Sequence, residues 1–180
     1  LNSNIIQGKV SNELSDYIYN AIVSDQFGWY WNEKQIYASK PEDQMGGFTH
    51  AFYNSEGAIN SSFSSIVPYL LKELENVINI EYAIRAQANL VCNIFLNEEQ
   101  NKNNVHIDDD NEDFFTILYY VITSDGNTVI YNEDTSSIEV SPIKGNYVIF
   151  PSNTLHKPNP PVVNKKRIVI NIVFKGKLKQ

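Results

Sequence analysis

The sequence predicts one mostly β domain in which helices come first and strands last, an antiparallel sandwich or barrel with helices packed against it. Three observations carry this expectation. Early in the chain, Leu14, Tyr17, Ile18, Ala21 and Ile22 recur at three- and four-residue steps, the period of a helix that buries one face. After about Ile80 the pattern changes to short β-like runs: Tyr82–Leu96, Phe114–Thr123, Thr128–Tyr131, Ser137–Val140, Asn146–Phe150 and Arg167–Phe174. Turn signals separate them, notably Asp125-Gly126-Asn127, Lys144-Gly145-Asn146 and Pro158-Asn-Pro-Pro161. In the last run Ile168, Ile170 and Ile172 alternate with Val169, Asn171 and Val173, so both faces are expected to be covered.

Taken in order, the first helix spans Ser11 to Ser24. The stretch from Phe27 to Gly57 scatters aromatics among Pro41 and Gly46-Gly47 without a sustained period, and reads as loops and short strands. Ser61-Ser62 then offer N-caps for a second helix through Ile66, Tyr69, Leu70, Leu74, Val77 and Ile78, with Pro68 tolerable only in its first turns. The domain expectation is a single unit over 1–180, with 1–80 as helical support and loops and 81–175 as the β core. Asn101–Asn104 reads as loop, and Lys175, Lys177 and Lys179 as a frayed solvated end.

Composition narrows the function classes. The 180 residues are 42% hydrophobic and 19% charged, enough apolar content for a packed core. A net charge of −7 argues against a duplex nucleic-acid surface. No apolar run reaches a membrane span, and the first residues carry no secretory signal, though an opening leucine fits removal of the true start. A single cysteine, Cys92, excludes internal disulfides and Cys-x-x-Cys sites, fits a cytoplasmic setting, and reads as a small core residue. Only His50, His106 and His156 can supply imidazole. His50 has no ligand-like neighbour and reads as structural or substrate-facing.

The informative segment is Val105-His106-Ile107-Asp108-Asp109-Asp110. In an extended backbone His106 and Asp108 project to one side and can share a cation. His156, where a strand runs into a Pro-rich loop, is the candidate third ligand. Two imidazoles and one carboxylate leave adjacent positions open, as in non-haem Fe(II) oxygenases. Asp109 and Asp110 read as a solvated turn. Arg167, at the head of the apolar terminal strand, is shaped to grip a carboxylate. Arg85, Gln87, Asn89 and Asn93 share a parity, a polar face that suggests a pocket lining. The Trp29-Tyr-Trp31 cluster reads as an aromatic core patch.

His-x-Asp, a distal His after a Gly-x-x-x-x-Phe strand, and Arg heading the terminal strand resemble the 2-oxoglutarate and Fe(II)-dependent dioxygenases over roughly Arg85 to Phe174. The run Thr116-Ile-Leu-Tyr119-Tyr120-Val121 is similar to the prolyl-hydroxylase-like branch. The resemblance implies a double-stranded β-helix (jelly-roll) core and Fe(II) on His106, Asp108 and His156. It also implies 2-oxoglutarate held by Arg167 and Tyr120; Asn93, from the polar face, is a further cosubstrate candidate. Dioxygen would be the second cosubstrate. The implied activity is hydroxylation of a protein side chain, proline among them, or of a small molecule, with succinate and CO2 as coproducts. Many relatives carry Ser or Thr two residues after the arginine; Val169 stands there, so that hydrogen bond must come from elsewhere or be absent. Two alternatives remain open: a non-catalytic jelly-roll metal-binding or structural protein, and a cupin-like metalloenzyme that does not use 2-oxoglutarate.

Overall fold

The computed structural model describes residues 4–36, 45–54, 56, 58–93, 105–132, 134 and 136–179. The end of the Tyr82–Leu96 run and the Asn101–Asn104 loop lie outside the described residues. Among the described residues, ten strands and two α-helices follow in the order β1 (Ile6–Lys9), α1 (Asn12–Ile22), β2 (Tyr30–Ile36), β3 (Met45–Tyr53), α2 (Ile66–Glu73), β4 (Ile78–Cys92), β5 (Phe114–Tyr120), β6 (Thr128–Tyr131), β7 (Ser137–Val140), β8 (Asn146–Pro151), β9 (His156–Pro158) and β10 (Lys166–Leu178). The strands form a seven-stranded antiparallel sheet, β1-β8-β5-β10-β4-β3-β2, and a three-stranded sheet, β7-β6-β9. Two antiparallel sheets around an inner cavity make the expected jelly roll.

Period two sorts the side chains. On β10, Ile168, Ile170, Ile172 and Phe174 join the apolar layer beneath the helices with Ile18, Ile22, Leu70 and Leu74. Val169 faces inward with Leu118, Tyr120, Ile130, Val148 and Phe150, a second cluster between the sheets. β10 is therefore buried on both faces, between β4 and β5, as its continuous apolar run requires.

α1 starts where its cap dictates: Ser11 Oγ accepts from Leu14 N (3.3 Å). α2 begins at Ile66, later than the Ser61-Ser62 caps suggest. Ser61 Oγ is engaged by Phe63 N and by His50, so it cannot open a helix, and Ser65 takes the N-cap position. Pro68 sits in the first turn, where its missing N–H costs nothing. Ile78 opens β4 rather than closing the helix. The first eighty residues also supply more than support, because β1 edges β8 and β3 pairs with β4.

Smaller expectations need correction. Cys92 is exposed, since it lies on a strand end beyond the core. Lys175 and Lys177 are in β10, and Lys175 Nζ lies 3.5 Å from Glu81. Trp29 packs edge-on against Phe27, whereas Trp31 is exposed. No described helix is long and apolar enough to cross a membrane.

Candidate metal centre and its cavity

Backbone pairing brings the two histidines together. His106 and His156 exchange both N–H···O bonds (2.9 Å each), a single antiparallel bridge that places their rings on one side with centroids 4.4 Å apart. Asp108 N donates to Ser152 O (2.9 Å), which fixes the next same-side residue. One ligand atom from each of His106, Asp108 and His156 falls within a mutual 4.8 Å.

Two of the three donors, His156 and Asp108, are held in their metal-ready form. His156 Nδ1–H donates to Thr154 O (3.0 Å); a carbonyl only accepts, so Nε2 keeps its lone pair and lies 3.5 Å from Asp108 Oδ2. Burial pushes the His156 pKa down to about 4, although Asp108 opposes the shift. Burial also disfavours the Asp108 carboxylate, but His156, Arg85, His106 and a hydrogen bond from Thr116 outweigh it and hold its pKa below the usual value. The carboxylate accepts from Arg85 Nη2 (3.0 Å to Oδ1), Thr116 Oγ1 (2.9 Å to Oδ2) and Asn171 Nδ2 (3.2 and 3.1 Å). Two imidazoles and one buried carboxylate fit a borderline divalent metal with open positions.

The cluster opens into a cavity of about 310 Å³. Arg167 lines it, 2% exposed, with Nε on Gly126 O (2.8 Å) and Nη2 on Thr128 Oγ1 (2.7 Å). Among the described residues no carboxylate comes within ion-pair distance of it. Burial lowers its pKa, with Tyr120 opposing, as for a buried cation short of countercharge. Val91, Leu118 and Val169 line the same cavity. Val91 is its register partner on β4.

Sequence reasoning placed two cosubstrate residues differently. Tyr120 is fully buried and is not part of the cavity wall; its hydroxyl donates to Thr128 Oγ1 (2.9 Å) and its ring lies 5.7 Å from the Arg167 guanidinium. Burial raises its pKa, so it stays a phenol and a donor. Asn93 does not line the cavity either; its amide donates to Val162 O. The other three members of the predicted polar face, Arg85, Gln87 and Asn89, do line it.

Thr128 is the residue the sequence reading missed. Its oxygen accepts from both Tyr120 and Arg167, which fills both lone pairs and leaves its own O–H to donate elsewhere. Thr128 lines the cavity, so it can supply the hydroxyl that Val169 lacks. Only its place at the head of β6, after the Asp125-Gly126-Asn127 turn, hinted at it. Thr116 and Asn171 were missed as partners of Asp108, although both share the inward parity of β5 and β10. His50 is structural: Nδ1–H donates to Gly28 O, Nε2 accepts from Ser61 Oγ (2.6 Å each), and the ring stacks on Phe27 at 4.0 Å. Asp110 is exposed, as expected of a solvated turn.

Comparison with known proteins agrees with this geometry. A prolyl-4-hydroxylase from Pseudomonas putida superposes with a TM-score of 0.61 at 14% identity, covering 97% of this chain and 93% of that one. A Trichoplax adhaerens prolyl hydroxylase, solved with a hypoxia inducible factor peptide fragment, gives 0.61 at 15% identity, over 97% and 84%. An oxidoreductase of the 2OG-Fe(II) oxygenase family from Burkholderia pseudomallei gives 0.67 at 10% identity, over 99% and 90%. At such identities these likenesses show the fold. Curated protein sequences give no match. Residues 90–175, which hold His106, Asp108, His156 and Arg167, match the family model for the 2OG-Fe(II) oxygenase superfamily, and this match supports an Fe(II)-, 2-oxoglutarate- and dioxygen-dependent oxygenase.

Proposed function

We propose that His106, Asp108 and His156 hold the ferrous ion and that Arg167 and Thr128 bind the distal carboxylate of 2-oxoglutarate, in an enzyme that hydroxylates a protein side chain or a small molecule. The observation that carries this reading is Arg167: a buried guanidinium, without a protein carboxylate among the described residues, facing a cavity that contains the metal ligands. Removing a charge from water costs several kcal/mol, and an anionic ligand is what offsets it. That is also what separates this reading from a cupin-like enzyme, in which the arginine would be paired internally. A cytoplasmic location belongs to the same proposal.

The bound metal supplies the dioxygen chemistry. The protein's part is positioning. Thr154 fixes the His156 tautomer, and Arg85, Thr116 and Asn171 fix the Asp108 carboxylate. Gly126 O and Thr128 aim the guanidinium, and Tyr120 in turn orients the Thr128 hydroxyl toward the cavity. Val91, Leu118 and Val169 exclude water from around the methylene chain of the cosubstrate.

The test is succinate formation from 2-oxoglutarate with added Fe(II) in air. Turnover is expected in the wild type and absent in His106→Ala and His156→Ala. Wild-type-like turnover in either variant would remove the site, and metal-dependent activity indifferent to 2-oxoglutarate would favour the cupin-like reading.

A further inference from the structure

The cavity is split in chemical character. Around Arg167 it is apolar apart from Thr128, which suits the chain of a dicarboxylate. Along β4, beyond Val91, the wall turns polar: Asn89, Gln87 and Arg85 succeed one another on the cavity face, with Asn171 the register partner of Gln87 on β10. An apolar substrate side chain such as a prolyl ring would leave these buried polar groups without partners.

Two of them are unpaired already. Arg85 Nε and Asn171 Oδ1 are buried with no hydrogen-bond partner. Asp108 fixes which end of Asn171 is which, because a carboxylate can accept only from the NH2 group. The hydrogen bond from Gln87 Nε2 to Asn89 Oδ1 (3.1 Å) couples the two amides and leaves Asn89 Nδ2 and Gln87 Oε1 for a ligand. The wall thus offers donors on Arg85 and Asn89 and acceptors on Asn171 and Gln87. Its complement is an anionic acceptor beside N–H donors.

Size adds a limit: about 310 Å³ is at the small end of the usual range for ligand cavities, roughly 300–1,000 Å³, so the space beside the cosubstrate suits a molecule of side-chain dimensions.

We propose that the prime substrate is a free amino acid, its carboxylate bound by Arg85 and Asn89 and its ammonium by Asn171 and Gln87. The inference rests on the assignment of the iron and 2-oxoglutarate sites given above. The reaction balances: one C–H of the amino acid becomes C–OH, one oxygen atom enters that alcohol and the other enters succinate, and the first carboxyl carbon of 2-oxoglutarate leaves as CO2. Amino acid and 2-oxoglutarate each give up two electrons, the four that reduce dioxygen.

The experiment is calorimetric titration of the protein loaded with Mn(II), in which 2-oxoglutarate affinity is measured first. The 2-oxoglutarate-bound protein is then titrated with each proteinogenic amino acid, with its N-acetyl carboxamide, and with a proline-containing pentapeptide. At least one free amino acid is expected to bind about tenfold or more tightly than its blocked form. Gln87→Leu and Asn89→Leu, neither of which touches Asp108, are expected to weaken that amino acid by about tenfold or more while 2-oxoglutarate affinity stays as in the wild type. The inference is overturned if 2-oxoglutarate binds but no free amino acid does, if free and blocked forms bind equally, or if the pentapeptide binds instead. Failure of 2-oxoglutarate itself to bind would instead overturn the underlying site assignment, and the inference with it.

Discussion

Replacing Thr128 with valine keeps the shape of the side chain and removes one oxygen. That oxygen accepts from Tyr120 Oη at 2.9 Å and Arg167 Nη2 at 2.7 Å, and all three residues are at most 2% exposed. The variant therefore orphans two buried donors, each at about 1–3 kcal/mol, for a combined loss of about 3 kcal/mol. In a chain of this size that lowers Tm by about 6–12 °C. The cosubstrate loses a charge-assisted hydrogen bond and a fixed guanidinium, so its Kd should rise about 10- to 100-fold. Mn(II) affinity should not change, because no hydrogen bond links Thr128 to the metal ligands. Scanning calorimetry gives the first quantity and titration of Mn(II)-loaded protein with 2-oxoglutarate the second. A Tm within about 2 °C of wild type, or unchanged 2-oxoglutarate affinity, would refute the idea that Thr128 joins Tyr120 and Arg167 to the ligand.

Arg167→Ala should retain Mn(II) binding but lose measurable 2-oxoglutarate binding in the same titration; retention of both would assign the guanidinium a purely structural role. Thr116→Val removes a bond to Asp108 Oδ2 and should weaken Mn(II) binding about 10- to 100-fold, read by competition with a chelator. For pH, the unfolded chain protonates His156 near its ordinary value of 6.5 and the folded one only near about 4. In that window the unfolded state binds more protons, so metal-free stability should fall with falling pH, by up to about 1.4 kcal/mol per unit. Urea denaturation across the window checks this, and a flat profile would contradict a buried neutral His156.

The strands that form the site were legible because their signals are local. Thr128–Tyr131 and Ser137–Val140 lie between clear turns and match the structure residue for residue. That His106, Asp108, His156 and Arg167 would face one cavity was legible because few residue types carry such donors or charge. β1, whose four residues gain their order from β8, had no such signal: a short edge strand is specified by its partner more than by its own composition. Tyr120 and Asn93 were misplaced for a related reason. Parity gives the face of a strand but not how far along it the cavity extends, and Tyr120 ends behind Thr128 while Asn93 passes beyond the wall. Thr128 was invisible because its role exists only where β6 meets the head of β10.

The most direct measurement is anaerobic addition of Fe(II) and then 2-oxoglutarate, followed by visible absorption. Chelation of iron by the keto acid at a half-vacant site of two histidines and an aspartate should produce a weak charge-transfer band that requires both additions and is lost in His156→Ala. No band in the wild type, or an equal band in His156→Ala, would contradict the assignment of this cavity as the iron and 2-oxoglutarate site.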